Sequence, residues 1–159
     1  MTTSQRREPA RILPLQSPAG LHALLADIVA AAERTGRGRG GSPVTSTLDV
    51  AAGLAVPGDP RMLRRLLTPL VDAAFATSAG RDRRRPGRCE VVVTAVVVSD
   101  GVEIEVADSG DAVEPIAVAA DLGVLAARAG GTFAVARCPE GGRAVTLRLP
   151  LRSASSRAA

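Results

Sequence analysis

Apolar and polar positions alternate along this chain with two different periods, and the change from one period to the other divides it into elements. From Ser17 the pattern is helical: Pro18 suits a first turn, and Leu21, Leu24, Leu25, Ile28 and Val29 recur at three- and four-residue spacing. The run Arg34 to Gly41 (RTGRGRGG) predicts the end of that helix and a flexible link. VTSTLDV, 44–50, alternates with period two, as a half-buried strand does.

Gly58-Asp59-Pro60 then supplies a turn, an N-cap and a first-turn proline. Behind it Leu63, Leu66, Leu67, Leu70, Val71, Ala74 and Phe75 trace one face of a helix to about Thr77. Pro69 interrupts it, but the stripe continues on both sides, which predicts one bent helix. CEVVVTAVVV (89–98) and VEIEVAD (102–108) read as strands joined at Ser99-Asp100-Gly101. The first is apolar almost throughout and is expected inside a sheet; the second places Glu103 and Glu105 on a wet face. A helix at about 115–129 presents Val118, Leu122, Leu125, Ala126 and Ala129, and Gly130-Gly131 stops it. TFAVARC (132–138) and RAVTLRLPL (143–151) form a second predicted hairpin.

The order helix, strand, helix, strand, strand, helix, strand, strand predicts an α/β (α+β) two-layer sandwich, a mixed sheet with helices on one face. Residues 1–13 and 152–159 read as disordered tails around one domain, 14–151. At 159 residues and 46% hydrophobic content the chain can bury a core, and with only Phe75 and Phe133 as aromatics that core is aliphatic.

All 20 basic residues are Arg, which excludes the lysine-dependent phosphate loop and Schiff-base chemistry. Net charge is +4, and the 81–88 stretch, with five Arg against one Asp, carries the excess. That stretch leaves open a solvated loop or a nucleic-acid or acidic-partner surface. Cys89 and Cys138 form no metal-binding pattern and read as ordinary thiols of a reduced, cytoplasmic protein, with a bridge between them left open. Neither a leader nor a membrane helix is legible, so no membrane insertion is expected.

Four stretches in order carry a resemblance: GDPRMLRRLLTPLVDAAFATS (58–78), VEIEVADSGDAV (102–113), DLGVLAARAGGTFAV (121–135) and GGRAVTLRLPL (141–151). Their order and spacing resemble the GHKL ATPases, and within them the catalytic ATP-binding domain of histidine kinases, with its N-box helix, its DxGxG box, its lid and its closing strand pair. The resemblance spans about residues 14–151 and implies the Bergerat ATPase fold. It also implies that Asp108 meets the adenine amino group and that Gly110 lets the base approach the backbone.

Other positions depart from the family. The second glycine of the DxGxG box is Ala112, followed by Val113 at the start of the lid. The two N-box asparagines correspond to Pro69 and Ala73, and alanine offers no oxygen to the magnesium that the second one coordinates. Asp72, one residue earlier, remains a candidate ligand, although it faces about 100° round the helix unless the Pro69 kink turns it. The lid is reduced to seven residues between Val113 and Asp121, without Gly-x-Gly, and Glu114 and Asp121 add negative charge where phosphates would rest. Arg128 lies toward the wrong end of its helix to offset them. His22, the only histidine, lacks a phosphoacceptor context, so the chain is not a self-contained histidine kinase.

These departures imply a degenerate module that acts on proteins of a bacterial-type signalling system (a kinase, a response regulator or a sigma-factor system). ATP or ADP is expected to bind weakly and magnesium to lack a side-chain ligand. Two alternatives stand beside it. One is an ATP-binding kinase subunit that phosphorylates a histidine-bearing partner in trans. The other is a binder of nucleic acid or acidic partners through the 81–88 loop. A further question is whether the space beside Asp108 and Gly110 is open or filled by Met62, Leu66 or Leu122.

Overall fold

A computed structural model describes residues 20–37, 42–80, 88–110, 119–139 and 141–151. Both predicted tails, Ser17 and Pro18, most of the 81–88 loop and the lid residues 111–118 lie outside them. Among the described residues the elements are α1 (Leu21–Arg37), β1 (Thr45–Val50), α2 (Pro60–Ala79), β2 (Glu90–Val98), β3 (Gly101–Asp108), α3 (Ala119–Arg128), β4 (Thr132–Arg137) and β5 (Arg143–Pro150).

The strands form one open mixed sheet in the order β1-β2-β3-β5-β4. Only β1 and β2 are parallel, with Thr45 opposite Glu90 and Val50 opposite Ala95, because α2 carries the chain back between them. The remaining pairs are antiparallel. Strand alternation sorts the side chains: Val91, Val93, Ala95, Val102, Ile104, Val106, Val145, Leu147 and Leu149 point to the helical layer and are buried. The alternate positions, Glu103, Glu105, Thr146 and Arg148 among them, lie on the helix-free face. This is the expected two-layer sandwich, and β2, with a neighbour on each side, is an interior strand as its apolar run predicts.

α2 is the centre of the helical layer. Asp59 caps it, its carboxylate accepting from the Arg61 N–H at 2.9 Å, and Pro60 fills the first turn, where a missing N–H costs nothing. Leu63, Leu66, Leu67, Leu70, Val71, Ala74 and Phe75 are all buried, and the helix runs on through Pro69 as one element. It ends at Ala79, two residues later than the pattern suggested, because Ser78 is itself buried and its hydroxyl donates to the Glu90 carbonyl. α1 also outlasts its expected end, since Arg34–Arg37 remain helical. Thr35 donates back to the Ala31 carbonyl, and Gly36 lies beside Phe75 of α2.

Both cysteines are free thiols, so the bridge left open by the sequence is absent. No helix among the described residues is long and apolar enough to cross a membrane.

Candidate functional site

Where the second half of α2 meets the end of β3, a small polar network joins helix to sheet. Ser78 Oγ donates to the Glu90 carbonyl at 3.0 Å, the Ser109 N–H donates to the same carbonyl at 3.0 Å, and the Glu90 N–H donates to Ser109 Oγ at 2.8 Å. Gly110 is held against the helix so closely that an added Cβ would stand 2.7 Å from the Thr77 carbonyl carbon. Only glycine fits this approach.

Asp108 sits at the centre of this end. Its Oδ1 accepts from the Gly110 N–H at 2.9 Å, and its Oδ2 lies 3.5 Å from Arg143 Nε. The two residues are direct partners in the β3–β5 register, and their side chains are 4% and 8% exposed. Asp108 continues the inward series Val102, Ile104, Val106; Arg143 begins the inward series Val145, Leu147, Leu149. Alternation alone therefore places both charges in the helical layer. The turn before Arg143 is closely built too: Gly142, at φ +86°, lies where a Cβ would come 1.8 Å from the Asp108 carbonyl oxygen.

Ala73 stands four residues before Thr77, whose hydroxyl donates to the Ala73 carbonyl at 3.0 Å. It therefore shares the helix face that meets Gly110. Asp108, Gly110 and Ala73 are thus brought to one end of the domain. Asp72 is not among them. It lines a cavity of about 280 Å³ between the C-terminal halves of α1 and α2, together with Thr35, Gly36 and Ala76. Ala112 and Val113 lie outside the described residues.

The sequence did not single out Arg143, although its signal was present: a charge at an inward position of an otherwise apolar strand, opposite a carboxylate at the same depth. Two of the three proposed fillers are elsewhere. Met62 and Leu66 border a cavity at the opposite end of α2, next to Leu149 and Pro150, and Leu122 is buried in the core. Arg128 borders that same distant cavity, in keeping with its expected place at the wrong end of α3.

A magnesium ion wants several oxygen donors, carboxylates foremost. Ala73 brings a methyl group, Asp72 lines another cavity, and both Asp108 oxygens have partners within the chain. No group of three or more metal-ligating side chains occurs among the described residues. The described donor set does not fit the cation.

Cys138, just past β4, has its thiol pKa pushed up, chiefly by burial and further by the negative charges of Glu105 and Asp108.

No family model matches the sequence, and no curated protein matches it. Solved structures do match in fold. The Acinetobacter baumannii histidine kinase AdeS superposes with a TM-score of 0.63 at 16% identity, over 82% of this chain and 64% of that one. ShkA, solved full-length in complex with AMPPNP, gives 0.66 at 20% identity, over 91% of this chain and 33% of its own. The catalytic domain of the histidine kinase ThkA gives 0.64 at 16% identity, over 83% of this chain and 92% of its own. The chain thus spans about two thirds of AdeS and one third of ShkA, but nearly all of an isolated catalytic domain.

Proposed function

On the premise that this chain has the catalytic ATP-binding fold of histidine kinases, we propose that it is a degenerate module of that fold. It serves as a regulatory, protein-binding component of a bacterial-type signalling system, and nucleotide binding is weak or lost. The Asp108–Arg143 pair carries this reading. A carboxylate that recognises adenine must offer an acceptor to an exocyclic amine, and Asp108 already has Gly110 on one oxygen and a guanidinium beside the other. An incoming base would have to displace a charged partner within a buried site, where such interactions are strong.

The N-box side supports the same reading. A methyl group stands at Ala73, so a triphosphate would bring its charge without a bridging cation. The partner class proposed, a kinase, a response regulator or a sigma-factor system, rests on analogy with histidine kinases such as AdeS, which share the fold.

Calorimetric titration with ATP and with ADP, each with and without magnesium, tests this. The expected result is no heat of binding up to about 1 mM, or weak binding that ignores magnesium. Micromolar, magnesium-dependent ATP binding would sink the proposal and make the chain an ATP-binding kinase subunit acting in trans.

A further inference from the structure

At the end of the domain away from Asp108, the loop before α2, the first turns of α2, the last turn of α3 and the end of β5 enclose a cavity of about 310 Å³. Its floor is aliphatic: Leu63, Leu66 and Leu149 close it from the core side, with Met62 and Pro150 toward the opening. Its rim is charged and asymmetric. Asp59 stands on the α2 side with its carboxylate turned to the Arg61 N–H as the helix cap. Arg128 stands on the α3 side, exposed and without a carboxylate partner among the described residues.

Arg61 and Arg65, on the first two turns of α2, are likewise exposed and unpaired there. By contrast Arg64, Arg143 and Arg148 pair with Asp27, Asp108 and Asp100.

We propose that this groove is the docking site for an acidic, apolar segment of a partner protein. One bulky apolar side chain enters the cavity, and flanking carboxylates meet Arg128 and Arg65. The inference deepens the protein-binding reading above and rests on it.

Size and charge both favour this occupant. A cavity of about 310 Å³ has room for one bulky apolar side chain, and its floor offers that side chain only aliphatic contacts. Arg128 on the rim, with the exposed Arg61 and Arg65 on the adjoining first turns of α2, outnumbers the one carboxylate, Asp59, and so favours anionic segments over cationic ones. The chain's own ends have the wrong sign. Residues 1–19 carry Arg6, Arg7 and Arg11 against Glu8, and residues 152–159 carry two Arg and no acid.

Met62 makes the groove observable, since the chain has only two methionines, Met1 and Met62. The full chain, labelled with carbon-13 at the methionine methyl groups, is titrated with a blocked synthetic peptide Asp-Asp-Leu-Phe-Asp-Glu. The controls are Lys-Lys-Leu-Phe-Lys-Lys and Asp-Asp-Ser-Asn-Asp-Glu. The expected result is a saturable shift of the Met62 signal with the acidic, apolar peptide alone. Arg128→Glu should weaken it at least about tenfold, and Arg34→Glu, an equal charge change on distant α1, should leave it unchanged.

An unmoved Met62 signal up to about 1 mM peptide overturns the proposal. So does an equal response to the basic peptide, or equal weakening by the two charge reversals. A Met62 shift that depends on protein concentration without peptide reassigns the groove to a second copy of the chain and also overturns it. Nucleotide titration reads the other end of the domain. A silent Met62 with ATP equally silent removes only the groove, whereas tight magnesium-dependent ATP binding removes the parent reading.

Discussion

Arg143 Nε stands 3.5 Å from Asp108 Oδ2, the two being cross-strand partners at the first inward position of β5 and the last of β3. Taking either charge away leaves the other buried without its cross-strand partner. Arg143→Ala and Asp108→Ala are each expected to lower unfolding free energy by about 3–5 kcal/mol in urea titrations. The double variant Arg143→Met with Asp108→Leu should recover most of that loss. A double-mutant cycle with no coupling would show that the pair is incidental to folding.

Gly110 marks how closely β3 approaches α2. Gly110→Ala places a methyl group 2.7 Å from the Thr77 carbonyl carbon and is expected to cost about 1–3 kcal/mol. Gly142→Ala adds a positive φ to a 1.8 Å clash with backbone and should cost more. Thermal midpoints of the two variants, compared with the parent chain, check both the loss and its order.

The cap of α2 is testable by itself. Asp59→Ala removes the acceptor for the Arg61 N–H and should destabilise the fold by about 1 kcal/mol, while Asp59→Asn keeps most of the capping. Equal losses in the two variants would mean that the carboxylate charge matters rather than the hydrogen bond.

Cys138 should react slowly. Its raised pKa keeps the thiolate fraction low near neutral pH, so alkylation by iodoacetamide is expected to reach half its maximal rate above the ordinary thiol pH. Glu105→Gln removes one of the charges that raise it and should move that midpoint down. The linkage has a definite sign: the neutral thiol is favoured in the folded state, so its contribution to stability is full at low pH. It is lost as pH rises through the folded-state pKa.

Much of the architecture is legible in the sequence. The leucine stripe of α2, the turn at Ser99-Asp100 and the paired glycines after α3 each state a local preference that tertiary packing then agrees with. Boundaries were less legible, because α1 and α2 are prolonged by contacts the local pattern does not contain: Gly36 against Phe75, and Ser78 on Glu90.

At the site, the sequence pointed to Asp108, Gly110 and Ala73, and the fold gathers all three. Asp72, a candidate in case the Pro69 kink turned it toward the site, instead lines the α1–α2 cavity. Arg143 was missed because it is about 35 residues from Asp108 and joins it only through register, which emerges when two non-consecutive strands, β3 and β5, align. The loss of Met62 and Leu66 as candidate fillers has the same origin, since helix periodicity fixes a face but not which end of the sheet it covers.

The parallel pairing of β1 with β2 has a kinetic side. The two antiparallel hairpins, β2–β3 and β4–β5, close loops of a few residues. Thr45 by contrast meets Glu90 only after the whole of α2 has been laid across the sheet. Closing the longer loop requires more chain entropy to be given up before any contact offsets it. Strand β1 should therefore join late, and substitutions within it should speed unfolding far more than they slow folding. That would make the β1 edge the part of the domain that opens first and heals last.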